Sequence, residues 1–169
     1  PINTRQLLLV NLMTDVLPAM AIAVSPPVDT TPEDLLTEGP DASLGESLNR
    51  AIAHRAAVTT VGTTAGWLSA RLTGRAKRAS TVALASLVGT ELGQTLTMGW
   101  RSPLVLASSL GSMGALVGII QTPGLSQVFG CTPLGPLAWS QALSSAGIAT
   151  IGGELVPAAV QRVSTAIRR

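Results

Sequence analysis

Five apolar segments alternate with polar connections along the chain: Leu7–Val24, Ala51–Ala70, Ala79–Met98, Leu104–Gln121 and about Leu137–Val160. Each falls within the ~17–25 residues with which an α-helix crosses the hydrocarbon core of a bilayer. Backbone polar groups in lipid have to be satisfied inside the segment, so the pattern predicts helices rather than open strands. Pro18 and Pro157 fall inside two of the segments, which membrane helices tolerate. The expected fold is an all-α, polytopic transmembrane helix bundle of about five spans.

Composition strengthens this reading. The 169 residues are 46% hydrophobic and 12% charged, against ~25% charged in ordinary soluble domains. A single cysteine, Cys131, rules out an intrachain disulfide, and with one histidine it also rules out a His/Cys-rich metal cluster within the chain. The net charge of +2 is small, and along the sequence the basic residues do not gather into one patch, so no nucleic-acid partner is expected. The chain opens on Pro1 without a recognisable signal peptide, and it is expected to be a fragment of a longer protein or a processed chain.

The acidic residues divide into two sets. Asp29, Glu33, Asp34, Glu38, Asp41 and Glu46 lie in the connection between the first two segments, whereas Asp15, Glu91 and Glu154 sit inside apolar segments. An ionisable side chain at membrane depth costs ~2.5–3.5 kcal/mol even on lenient scales. The second set therefore needs a partner, a water-filled cavity or an ion.

Asp15 carries the sharpest signal. On a regular α-helix Asn11, Thr14, Asp15 and Pro18 project from one face, within an arc of roughly 100°, in a segment otherwise made of Leu, Val, Met, Ile and Ala. Pro18 has no N–H, so the carbonyl of Thr14 loses its helical donor. A carboxylate, an amide oxygen, a hydroxyl and a freed carbonyl are hard ligands suited to Ca²⁺, Mg²⁺, Mn²⁺ or a monovalent cation. One helix cannot complete such a shell. The same polar groups would also serve as interhelical hydrogen bonds.

Glu91, with Gln94 and Thr95 at i+3 and i+4, forms a second one-sided polar island and is the natural further ligand; a protonated, packing glutamate is its other reading. Glu154, beside Gly152 and Gly153, is expected to reach the interface or a basic partner, and His54 to be interfacial. Gly62-x-x-x-Gly66, Gly89-x-x-x-Gly93 and Gly114-x-x-x-Gly118 have the spacing of close helix packing. Trp67, Trp100 and Trp139 fall near segment ends, as interfacial rings do. Five spans place the termini on opposite sides, and loop charges favour a cytoplasmic C-terminus by a single basic residue.

The Gln6–Pro27 block, QLLLVNLMTDVLPAMAIAVSPP, resembles the sixth transmembrane helix of type II, calcium-pump-like cation-transporting P-type ATPases. Thr90-Glu91-Leu92-Gly93-Gln94 resembles the eighth helix, and the Gly153-Glu154-Leu155 region weakly resembles the tenth. The resemblance spans residues 1–169 and implies a C-terminal membrane domain of helices six to ten, multi-pass in a cell membrane, with a cytoplasmic C-terminus. It implies Asn11, Thr14, Asp15 and Glu91 as ligands of the transported cation, with lipid and the remaining helices and cytoplasmic domains of the same parent as partners. ATP and its Mg²⁺ would belong to the parent only, because the Asp-Lys-Thr-Gly and Thr-Gly-Glu motifs are not in this stretch. Val16 stands where calcium pumps have glycine, which implies less local unwinding. A stand-alone helical membrane protein and a decayed pump relic are the alternative readings.

Overall fold

The computed structural model describes residues 3–24 and 46–167. Side chains are described throughout these stretches except at Asp15, Leu17, Ala19, Ile22 and residues 46–48 and 156–167. The described chain is all-α. Its helices are α1 (Thr4–Asn11), α2 (Leu17–Val24), α3 (Glu46–Thr73), α4 (Ala76–Gly99), α5 (Pro103–Gln121), α6 (Leu125–Val128) and α7 (Pro136–Ile167). A π-helical turn, Leu12–Val16, joins α1 to α2 without a break. All five expected segments fall on helix. The acidic connection, with Asp29, Glu33, Asp34, Glu38 and Asp41, and the terminal Arg168 and Arg169 lie outside the described residues.

α4 is the axis of the bundle. Every residue from Ala79 to Thr95 is buried or half-buried, as befits a helix covered on all sides. α3 and α7 pack on α4 and on each other, while α5 packs on α4 and on α2. The core runs through these layers from Leu9, Val10 and Met13 by way of Val82, Val88 and Leu92 to Leu116, Ile120 and Ala142.

Two of the three glycine pairs form the crossing of α3, α4 and α7. A Cβ on Gly62 would lie 2.9 Å from Cβ of Ala149, and one on Gly89 would lie 3.1 Å from Cβ of Ala146. Gly66 faces Ser86 and Ser145, and Gly93 faces Thr150. Such close approach maximises dispersion contact where no hydrophobic drive exists between helices. Gly114 and Gly118 have nothing within 4 Å of where a Cβ would be.

By length and composition one described helix, α5, suffices to cross a membrane. α3 and α7, at 28 and 32 residues, are ~42 and ~48 Å long at 1.5 Å per residue. They are long enough, but Ser, Thr and Gly dilute their hydropathy. Some of those small polar groups face α4: Ser145 of α7 shares a hydrogen bond with Ser86 at 3.0 Å, and Thr59 of α3 accepts from Gln94 Nε2 at 2.9 Å.

Candidate ion-binding site

The first helix is anchored at its start. Asn3 caps α1, its Oδ1 accepting from the Gln6 N–H at 2.8 Å while Gln6 Oε1 accepts from the Asn3 N–H at 3.1 Å. This reciprocal pair satisfies two N–H groups that a helix start leaves open. The same end is tied to the α6–α7 connection. Gln6 Nε2 donates to the Gly130 carbonyl at 3.2 Å, and Arg5 Nη1 donates to that of Val128 at 2.9 Å. Gly130 has φ +68°, and a Cβ there would strike the Asn3 amide, so the connection closes on α1 only with glycine at this position. Cys131 packs beneath it. Burial pushes its thiol pKa up, and the Gln6 hydrogen bond offsets this in part.

The π turn, Leu12–Val16, begins directly after Asn11 and contains Thr14 and Asp15. Pro18, fully buried, follows two residues later. Its missing N–H and the clash of its ring with the carbonyl four residues back are the physical reasons for a widened turn here. Such turns occur chiefly as single-turn bulges, frequently at functional sites. The helix thus departs from α geometry even with Val16 in place of glycine.

Met13 is buried against the core, Thr14 is half-buried, and Asn11, Leu12 and Val16 are exposed. Thr14 Oγ1 donates to the Val10 carbonyl at 3.0 Å. Asn11 therefore projects from an apolar helix onto a face that the described helices leave uncovered. The side chain of Asp15 lies outside what is described.

The structure places Glu91 in a different set of contacts. Thr59 Oγ1 of α3 donates to Glu91 Oε1 at 2.7 Å and accepts from Gln94 Nε2 at 2.9 Å. Thr95 Oγ1 donates to the Glu91 carbonyl at 2.9 Å. Neither Asn11 nor Thr14 hydrogen-bonds to it. The Glu91–Thr59–Gln94 chain was only half legible in the sequence, since Thr59 looks like an ordinary helix threonine until α3 is laid against α4. Glu154 accepts from Thr97 Oγ1 at 3.2 Å rather than from a basic residue. It shares a small cavity of about 40 Å³ with His54, Arg55 and Thr150, whose hydroxyl is buried without a hydrogen-bond partner among the described residues. Among the described residues no three His, Cys, Asp or Glu side chains come together.

A bundle of helices crossing at glycines, with a widened, proline-bearing helix beside it, has the make-up of a helix-packed membrane domain. The chain belongs to the family "Cation transporting ATPase, C-terminus", whose model matches residues 1–159. It is 46% identical over 176 residues to a protein of Mycobacterium leprae (strain TN) described as "Probable cation-transporting ATPase I", covering 93% of this chain and 11% of that relative. Two proteins of Mycobacterium tuberculosis with the same description are similar. One, from strain CDC 1551 / Oshkosh, is 46% identical over 175 residues, covering 93% of this chain and 11% of its own length. The other, from strain ATCC 25618 / H37Rv, is 45% identical over 148 residues, covering 77% of this chain and 9% of its own length. The chain thus spans about a tenth of the length of these relatives. No solved structure matches it.

Proposed function

We propose that this chain is the ion-binding membrane part of an ATP-driven cation pump, with Asn11, Thr14 and Asp15 ligating the transported cation. The observation that carries the reading is the π turn. It starts next to Asn11, contains Thr14 and Asp15, and is set in an otherwise apolar helix whose Asn11 side the described helices leave open. Ligands from elsewhere in a much longer parent would complete the shell, as hard cations demand. ATP hydrolysis, its Mg²⁺ and the aspartyl-phosphate chemistry would belong to that parent. The five helical stretches would each span the bilayer, leaving the C-terminus cytoplasmic.

The test uses the complete protein. Asp15→Asn is expected to abolish cation-dependent phosphorylation from ATP across a panel of Ca²⁺, Mg²⁺, Mn²⁺, Na⁺ and K⁺. Retained cation activation with unchanged affinity would overturn the assignment.

For Glu91 two readings stand. As a ligand it would use Oε2, since Thr59 occupies Oε1. As a packing residue it would serve only to fasten α4 to α3, which its bond to Thr59 favours.

A further inference from the structure

We propose that the cavity between the start of α1, the α3–α4 turn and the Gly130 connection binds the phosphate headgroup of an anionic phospholipid. The cavity is about 370 Å³ and is lined by Asn3, Gln6, Trp67, Arg71, Lys77 and Ser80, among others. That volume is within the ~300–1,000 Å³ of small-molecule sites.

Charge is the first argument. Arg5, Arg71, Arg75, Lys77 and Arg78 lie at this end of the bundle, whereas no acidic residue occurs in 1–14, 47–90 or 92–153. α3 begins at Glu46, the far end of its 28 residues from Arg71 and the cavity. Two of the five cations are already engaged: Arg5 with the Val128 carbonyl, and Arg78 with the Thr73 carbonyl and Gln141 Oε1. The side chains of Arg71 and Lys77 have no hydrogen-bond or ion-pair partner among the described residues, and both residues line the cavity. Two unpaired cations in one concave, acid-free site attract an anion.

Donor geometry is the second. α4 begins at this cavity, and its cap residue, Arg75, supplies no side-chain bond to the first turn. Ala76 and Lys77 of that turn line the cavity, beside the Ser80 hydroxyl. Open N–H groups at the start of a long helix add to the field of the two side chains.

The surroundings select a lipid as the source of the phosphate. Trp67 lines the cavity, and Leu68 and Leu72 on the same helix are exposed, giving an apolar surface on which acyl chains can lie beside the basic pocket. The inference rests on the membrane reading above but not on the ion ligands, so the two fail separately.

The test is retention of phosphatidylglycerol by the complete protein in neutral detergent, read by native mass spectrometry. The wild type is expected to retain the lipid, and Arg71→Gln with Lys77→Gln to lower the retained fraction at least fivefold. The charge-preserving pair Arg71→Lys with Lys77→Arg should retain it, as should Arg50→Gln with Arg101→Gln, which removes two charges from the other end. Asp15→Asn should lose cation-dependent phosphorylation and keep the lipid. Equal retention by the glutamine pair, or loss in the charge-preserving pair, overturns the site. Displacement of the lipid by millimolar inorganic phosphate shows a free-anion site and overturns the lipid assignment, whereas failure of phosphate to compete supports it.

Discussion

Glu91 and Thr59 show how much of a buried polar group's role depends on the atom that faces it. Thr59 Oγ1 donates to Glu91 Oε1 and in turn accepts from Gln94, so one hydroxyl joins α3 to α4 twice. Glutamine at position 91 would still offer an oxygen to Thr59 but would carry no charge to a cation. If Glu91 is a ligand, Glu91→Gln should leave the thermal midpoint of the complete protein unchanged and lower apparent cation affinity at least tenfold, the low end of a charged interaction worth ~1.5–3 kcal/mol. Unchanged affinity would make Glu91 a packing residue. Glu91→Leu should destabilise by ~1–3 kcal/mol, because the Thr59 hydroxyl loses its acceptor. Cys131 allows a separate check in the α6–α7 connection. Burial raises its pKa, so the neutral thiol is favoured in the folded state, and the stability this gives is lost as pH rises past the ordinary thiol range. Alkylation by iodoacetamide at pH 8 should be markedly slower than for a free thiol and should accelerate on unfolding. Alkylation at the free-thiol rate would show that the connection does not close over Cys131.

At the scale of helices, the crossing of α3, α4 and α7 and the π turn each make a demand on sequence. Gly66 faces Ser86 and Ser145 too closely for any side chain, whereas Gly118 faces open space. Gly66→Val should cost at least the ~1–3 kcal/mol of overpacking, and Gly118→Val should be tolerated, both read as thermal midpoints of the complete protein in detergent. The spacing of glycines announced close packing at all three pairs, yet only the three-dimensional arrangement tells which pairs meet a neighbour. The positions of the five helices were legible because apolar length is a strong signal. α6 was not, since four residues in a polar connection carry no periodicity. The widening at Leu12–Val16 was half legible. Pro18 announced a lost hydrogen bond, but Val16 argued for a more regular helix, and proline's missing N–H and ring outweighed it. Restoring that N–H with Pro18→Ala should return the segment toward α geometry and turn Thr14 and Asp15 relative to Asn11. Cation affinity should then fall while thermal stability holds or rises. Unchanged affinity would separate the π turn from ion binding.

For the whole molecule the decisive pattern is where the charges stand. Read along the chain the basic residues look scattered, but folding gathers Arg5, Arg71, Arg75, Lys77 and Arg78 at one end, while Arg50, Arg55 and Arg101 stand at the other. Counting loop charges therefore leaves orientation nearly balanced, and a basic end facing outward would run against the usual bias. An outward basic end is tenable if those charges are there to hold an anionic headgroup rather than to set topology. Orientation is then a measurement that bears on both proposals. In the complete protein with Cys131 replaced by serine, cysteine placed at Gly74 in the α3–α4 turn should react with an impermeant maleimide added to intact cells. Cysteine placed at Arg169 should react only after the membrane is opened. Inverted labelling would put the basic end in the cytoplasm, where positive charge is ordinary. The phospholipid site would keep its chemistry, but the assignment of the five stretches to the last five helices of a pump with a cytoplasmic C-terminus would fall.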